Sequence, residues 1–332
     1  MESFAGFIIC AVIIFLAGKK LSYYGDLIAE RTGLGKAWIG LILMASVTSL
    51  PELVVGISSS AIVGSADLAT GDIFGSCAIN LAILAILDLF VPPGKHLFFI
   101  ASSRHVLSAS LAMILIALAG MGLFLPQDIV LLPGIGIMSL VFVVIYLFSI
   151  RIIYRFETVT RQVEDAVPVE RKELPSLKKI AGLYMFYALI TIGAALFIPQ
   201  FANKIALQTG LGASFVGTLF VAASTSLPEI AVSIAAVRMG SIDLAVGNLL
   251  GSNIFNILIL AIDDLFYTKG VLLKDASEIH LISALSCLVM TAIAIAGFTY
   301  KAPGKKFLMA ADAILMLLFY FVNLVLLFYL SR

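Results

Sequence analysis

Two glutamates stand where an acid has no ordinary partner. Glu52 in "SVTSLPEL" (46–53) and Glu229 in "ASTSLPEI" (223–230) each follow a proline, and they are the only charged residues from Ala37 to Ala66 and from Ile205 to Val237. An ionised carboxylate in apolar surroundings is costly, so such an acid is either protonated or neutralised by a mobile cation. The neighbouring residues favour the cation. Thr48 and Ser49 lie four and three residues before Glu52, a spacing that lets hydroxyls and carboxylate share a helix face. Pro51 cannot donate to the carbonyl of Val47, which leaves backbone oxygen free. Thr225, Ser226, Pro228 and Glu229 repeat the arrangement. Carboxylates, hydroxyls and freed carbonyls together form the oxygen set that hard cations such as Ca²⁺ take, six to eight at a time.

A second pair of stripes supplies more oxygen. Asp72, Ser76 and Asn80 follow one another at i, i+4 and i+8, and so do Asn248, Ser252 and Asn256. Gly71, Gly75, Gly247 and Gly251 adjoin these stripes and permit close helix approach. Zinc and copper are disfavoured: Cys10, Cys77 and Cys287 are scattered in apolar runs, and His96, His105 and His280 lie near span ends.

The elements that must hold these residues are membrane helices. The chain is 61% hydrophobic and 12% charged with a mean hydropathy of +1.12, far from the usage of a soluble domain. A net charge of +1 argues against a nucleic-acid partner. Spans of about 20 apolar residues are expected near 3–24, 37–63, 67–90, 104–124, 129–150, 179–201, 212–237, 242–266, 280–299 and 307–330. Threaded as ten crossings, they place 17 of the 21 Lys and Arg on one side and leave Lys204, Lys269, Lys274 and Arg332 on the other. The positive-inside rule makes the richer side cytoplasmic, with both termini outside. Glu52 then falls about 20 Å along its span, near the centre of a hydrocarbon core about 30 Å thick.

The sequence also repeats. Residues 27–52 align without a gap on 204–229 with 13 identities in 26 positions, and "GSADLATGDIFGSCAIN" (64–80) continues onto "GSIDLAVGNLLGSNIFN" (240–256). Each copy holds five spans, so the second starts on the opposite side of the membrane from the first. The expected fold is an all-α integral membrane protein of ten transmembrane helices in two inverted five-helix repeats. Residues 1–150 form the first repeat, with its motif at 37–90, and 179–332 the second, with its motif at 212–266. The charged segment 151–178 is a cytoplasmic linker. Inverted repeats with sites near the midplane are an organisation of secondary transporters.

These motifs resemble the Ca²⁺/cation antiporter superfamily and, within it, the Na⁺/Ca²⁺ exchangers. "TSLPE" at 48–52 and 225–229 resembles that family's G-T-S-x-P-E signature on helices 2 and 7; "GSCAIN" (75–80) and "GSNIFN" (251–256) resemble its G-S-x-x-x-N/D on helices 3 and 8. The resemblance implies ion ligands at Thr48, Ser49, Glu52, Ser76, Asn80, Thr225, Ser226, Glu229, Ser252 and Asn256, with backbone carbonyls at Ala45 and Ala222. It further implies alternating access, in which the first and sixth helices slide against the rest. No resident cofactor is expected; Ca²⁺ and Na⁺ are the transported ions, the lipid bilayer is the surrounding partner, and the chain is expected to work as a monomer in the plasma membrane. The sequence departs from the pattern at Val47 and Ser224, which replace the signature glycine, and at Asp72, which stands where asparagine is usual and adds a candidate negative charge in the outer vestibule.

A H⁺/Ca²⁺ exchanger is the alternative reading, because buried glutamates readily take protons. Against it, the superfamily's proton-coupled members usually carry an additional acid on helix 3 that "GSCAIN" lacks. A cation channel is a remoter alternative. An intramembrane hydrolase lacks its constellation: the deep serines have no histidine nearby, and Asp312 has no evident partner in its helix.

Overall fold

The computed structural model describes residues 2–92, 94–124, 130–132, 135–164, 175–209, 222–301 and 308–330. α1 (Glu2–Thr32) is followed by α2 (Lys36–Thr48) and α3 (Leu50–Val63), one apolar rod bent by 40° at Ser49. The bend follows from Pro51, which has no N–H for the fourth carbonyl back. Ser49 takes up the irregularity with φ −88° and ψ 9°, in the sparsely populated bridge region. Wide π-helical turns, Ile39–Met44 and Ser58–Val63, lie on either side of the bend, a form of helix concentrated at functional sites. α4 (Ala66–Ile86) runs on into a 3₁₀ turn, Leu87–Phe90.

Next come the short α5 (Leu97–Ile100) and then α6 (His105–Phe124). A small antiparallel pair, β1 (Val130–Leu132) and β2 (Ile135–Gly136), precedes α7 (Ile137–Glu164). The helix expected at 129–150 therefore begins eight residues later, after a Pro-Gly dipeptide that opposes helix formation. It also continues to Glu164, so the first half of the expected 151–178 linker is helical. α8 spans Leu177–Thr209.

After a turn of helix at 222–225, α9 (Leu227–Arg238) starts at a second irregular serine, Ser226, with φ −78° and ψ 4°. α10 (Ile242–Phe266), α11 (Leu272–Asp275), α12 (His280–Tyr300) and α13 (Ala311–Leu330) complete the chain. Eight of the described helices are long and apolar enough to cross a membrane, and the bent pair α2–α3 makes a ninth. The expected span at 212–237 begins in residues outside the described set.

α4 and α10 form the centre of the bundle; most of their side chains are buried. They run antiparallel, tied by Asn80 Nδ2 donating to Asn253 Oδ1 at 3.0 Å and by Asn256 Nδ2 reaching Cys77 Sγ at 3.8 Å. α2 crosses α10 backbone to backbone. A Cβ on Gly251 would lie 2.2 Å from the Leu41 carbonyl oxygen, so only glycine allows this crossing. α1 and α8 pack on each other at the edge of the bundle and present large apolar side chains such as Leu16, Leu189 and Phe186 outward.

Both ends of the bundle are fastened by carboxylates. At the end that carries α7's charged terminus, Asp243 accepts from the Ser102 backbone N–H at 2.7 Å and meets His105 Nε2 at 2.9 Å. At the far end Asp67, the repeat counterpart of Asp243, accepts from the Ser277 N–H at 2.6 Å and meets His280 Nε2 at 3.1 Å. Asp88 and Asp264 correspond in the same way. Asp88 accepts from the N–H groups of Leu97 and Ala310, both at 2.8 Å; Asp264 accepts from those of Leu272 at 2.7 Å and Gly136 at 2.9 Å. Each carboxylate satisfies backbone donors at or just before the start of another helix, where N–H groups lack helical partners.

Candidate functional site

The two irregular serines bring the acids together. Because the helix is interrupted at Ser49 and at Ser226, Glu52 and Glu229 each lie in the first turn of a new helix segment, after a proline. Glu52 is 1% exposed and Glu229 is fully buried. Their hydroxyl partners come from across the interface. Ser49 Oγ donates to Glu229 Oε1 at 3.1 Å, and Ser226 Oγ donates to Glu52 Oε1 at 3.4 Å. The Thr48 and Thr225 hydroxyls instead donate to the carbonyls of Ala45 and Ala222. Each serine hydroxyl thus serves the carboxylate of the other repeat, where the sequence spacing points to the acid on the same helix.

The stripes on α4 and α10 close the site. Ser252 Oγ donates to Glu229 Oε1 at 3.2 Å. Asn248 accepts from Thr48 Oγ1 at 3.3 Å and donates to Ser233 Oγ at 3.2 Å, so it fixes the threonine from behind. Asn253 was not among the expected residues; it accepts from Asn80 and donates to the Cys77 carbonyl, which leaves the Asn80 carbonyl oxygen turned away from both bonds. The carbonyls of Ala45 and Ala222 each accept two donors. Ala45 receives the Ser49 N–H at 2.9 Å and Thr48 Oγ1 at 3.3 Å; Ala222 receives the Ser226 N–H at 3.1 Å and Thr225 Oγ1 at 3.0 Å.

Five buried oxygens in this region have no hydrogen-bond partner: Glu52 Oε2, Ser76 Oγ, Asn80 Oδ1, Glu229 Oε2 and Asn256 Oδ1. Buried polar groups are nearly always paired, so five orphans in one place need a reason. Among the described residues no lysine, arginine or histidine forms an ion pair with either glutamate. Val47, where the signature departs, is half-buried and packs on the apolar core. Asp312 gains a partner the sequence did not reveal, His96 at 3.9 Å.

The chain matches the family described as sodium/calcium exchanger protein over residues 2–155 and 178–329. It belongs to the sodium/calcium exchanger family. Among relatives, it is 30% identical to the inner membrane protein YrbG of Escherichia coli over 85% of this chain and 86% of that one. It is also 35% identical to the sodium/calcium exchanger MaX1 of Methanosarcina acetivorans over 48% of this chain and 43% of that protein. In fold, this exchanger-family chain superposes on the sodium-calcium exchanger NCX_Mj with a TM-score of 0.75 and 20% identity, covering 97% of both chains. Family membership makes the exchanger a multi-pass membrane protein of cation/Ca²⁺ exchange.

Proposed function

We propose that the protein exchanges Na⁺ for Ca²⁺ across the plasma membrane, binding the ions between Glu52 and Glu229. The observation that carries this reading is the set of five buried oxygens without partners, drawn from α3, α4, α9 and α10, with no cationic side chain paired to either glutamate among the described residues. A cation supplies what they lack. Two carboxylates balance one Ca²⁺, and the hydroxyls of Thr48, Ser49, Thr225, Ser226 and Ser252 with the amide oxygens of Asn80 and Asn256 bring enough neutral oxygen for six to eight ligands. The Ala45 and Ala222 carbonyls join them when the threonine hydroxyls that now bond to them turn toward the ion.

The architecture suited to this chemistry is ten helices in two inverted repeats. Support comes from the antiparallel course of α4 and α10, which carry matching motifs, and from the paired anchors Asp67 with Asp243 and Asp88 with Asp264. Ion access alternates as α1 and α8 slide on the rest. Among the described residues their polar ties to the core are Ser22 Oγ donating to the Val232 carbonyl at 2.7 Å, Tyr184 Oη donating to the Leu43 carbonyl at 3.1 Å, and Asp26 held by Lys36 and Ser241 near one end. The end of the bundle bearing Lys36, Arg104 and the charged terminus of α7 faces the cytoplasm, and both chain termini face out.

The test is ⁴⁵Ca²⁺ uptake into Na⁺-loaded vesicles compared with vesicles holding only a pH gradient. Uptake is expected with the Na⁺ gradient alone. Uptake driven by the pH gradient alone would transfer the assignment to proton coupling, and full exchange by both Glu52→Gln and Glu229→Gln would remove the site.

A further inference from the structure

The glutamates are not the only buried acids without partners. Asp72 on α4 is 2% exposed and Asp263 on α10 is fully buried, yet neither oxygen of either carboxylate has a hydrogen-bond partner. The antiparallel register that joins Asn80 to Asn253 and Cys77 to Asn256 also brings Asp72 level with Asp263, nearer the end where Lys269 Nζ donates to the Gly64 carbonyl at 2.7 Å. The charge of Asp72 acts on both Asp263 and Glu52.

The third wall is α3. Gly56, one turn beyond Glu52, lies directly under Asp263: a Cβ there would fall 2.3 Å from Oδ2 and 2.5 Å from Oδ1. One turn further on, Ser60 is fully buried with its hydroxyl unpartnered. Glu52, Gly56 and Ser60 thus form one stripe along the helix, with the carboxylate of Asp263 lodged at its glycine. Asp263 has no acidic counterpart in the repeat, since Leu87 occupies the matching position, so this feature is not a duplicate of the glutamate pair.

We infer that Asp72 and Asp263, with Ser60, form a second cation site on the route between the glutamate site and the Gly64 end of the bundle. Two carboxylates buried together without a basic side chain are stable only when positive charge accompanies them, and an all-oxygen pocket selects a hard cation such as Ca²⁺. The site serves as a waiting position: an ion held there sits in the field of Glu52 one turn away. Its role as a station on the way rests on the glutamate site being the transport site; its ability to bind does not.

Equilibrium ⁴⁵Ca²⁺ binding to the purified full-length protein in Na⁺-free lipid nanodiscs tests both. Wild type should bind two Ca²⁺ per chain at millimolar Ca²⁺. Asp72→Asn with Asp263→Asn should bind one with the tighter affinity unchanged within about twofold, and Gly56→Ala, which fills the place of the carboxylate, should do the same. Glu52→Gln with Glu229→Gln should keep the weaker ion and lose the tighter. A single Ca²⁺ per wild-type chain, or two in the Asp72→Asn, Asp263→Asn variant, overturns the second site. Loss of one ion in that variant with none lost in the glutamate variant would leave the second site standing and refute the glutamate site.

Discussion

Ser49 donates its hydroxyl to Glu229, an acid 180 residues away in the other repeat, at 3.1 Å. Ser226 and Glu52 make the reciprocal bond. The consequence is that a change on one helix is felt at the carboxylate of the other. Ser49→Ala and Ser226→Ala should each raise the half-saturating Ca²⁺ concentration by roughly two- to twelvefold, the worth of about 0.5–1.5 kcal/mol for one hydrogen bond. Ser49 and Ser252 share Glu229 Oε1, so their double variant should depart from additivity more than Ser49→Ala with Ser226→Ala. ⁴⁵Ca²⁺ uptake at graded Ca²⁺ checks both statements.

The crossing of α2 and α10 leaves no space for a side chain at Gly251. Gly251→Ala should cost about 1–3 kcal/mol through overpacking against backbone that cannot turn aside. Gly182, with nothing within 4 Å of an added Cβ, is the matched control and should tolerate alanine. Thermal unfolding of the two purified variants separates them.

Asp26 on α1 is tied at one end of the bundle to Lys36 Nζ at 2.7 Å and to Ser241 Oγ at 2.6 Å. The pair is partly exposed, so its worth is about 0.2–1 kcal/mol. If α1 slides during transport, Lys36→Met should shift the balance of its positions by up to about fivefold. A change in exchange rate at saturating ions, with Ca²⁺ affinity at equilibrium held constant, is the expected readout; an unchanged rate would show that this tie does not restrain α1.

Asp88 and Asp264 each receive two backbone N–H groups in buried surroundings. Asn in either place removes the charge that strengthens those bonds, and a loss of about 2 kcal/mol is expected. Their repeat relation predicts matching falls in melting temperature for Asp88→Asn and Asp264→Asn, with half-saturating Ca²⁺ unchanged.

Much of the candidate site is legible in the sequence because its oxygens lie in two near-identical copies on otherwise apolar helices. Glu52, Asn80, Glu229 and Asn256 stand out for that reason, and all are buried together. The crossed hydroxyls are not legible: helical spacing relates Ser49 to Glu52, while the bend at Ser49 turns its hydroxyl toward Glu229. Asp263 pairs with leucine in the alignment of the two repeats, so repetition does not flag it. An Asp-Asp pair near the end of an apolar span, of which only the second acid recurs in the other repeat, is the available signal. Asp88 and Asp264 were within reach, since the repeat extends to a shared "DLF", but their role depends on chain segments far away in sequence. The late start of α7 reflects a Pro-Gly dipeptide inside an apolar run, which hydropathy counts as continuous.

The reciprocal bonds between Ser49 and Glu229 and between Ser226 and Glu52 give neither repeat a finished set of ligands. Each lends its hydroxyls and borrows the acid they orient. Either copy taken alone would hold a serine hydroxyl without the acid it serves and an acid without its hydroxyl. The two copies are interdependent without being identical, since the acid at Asp263 is opposed by Leu87 in the other copy.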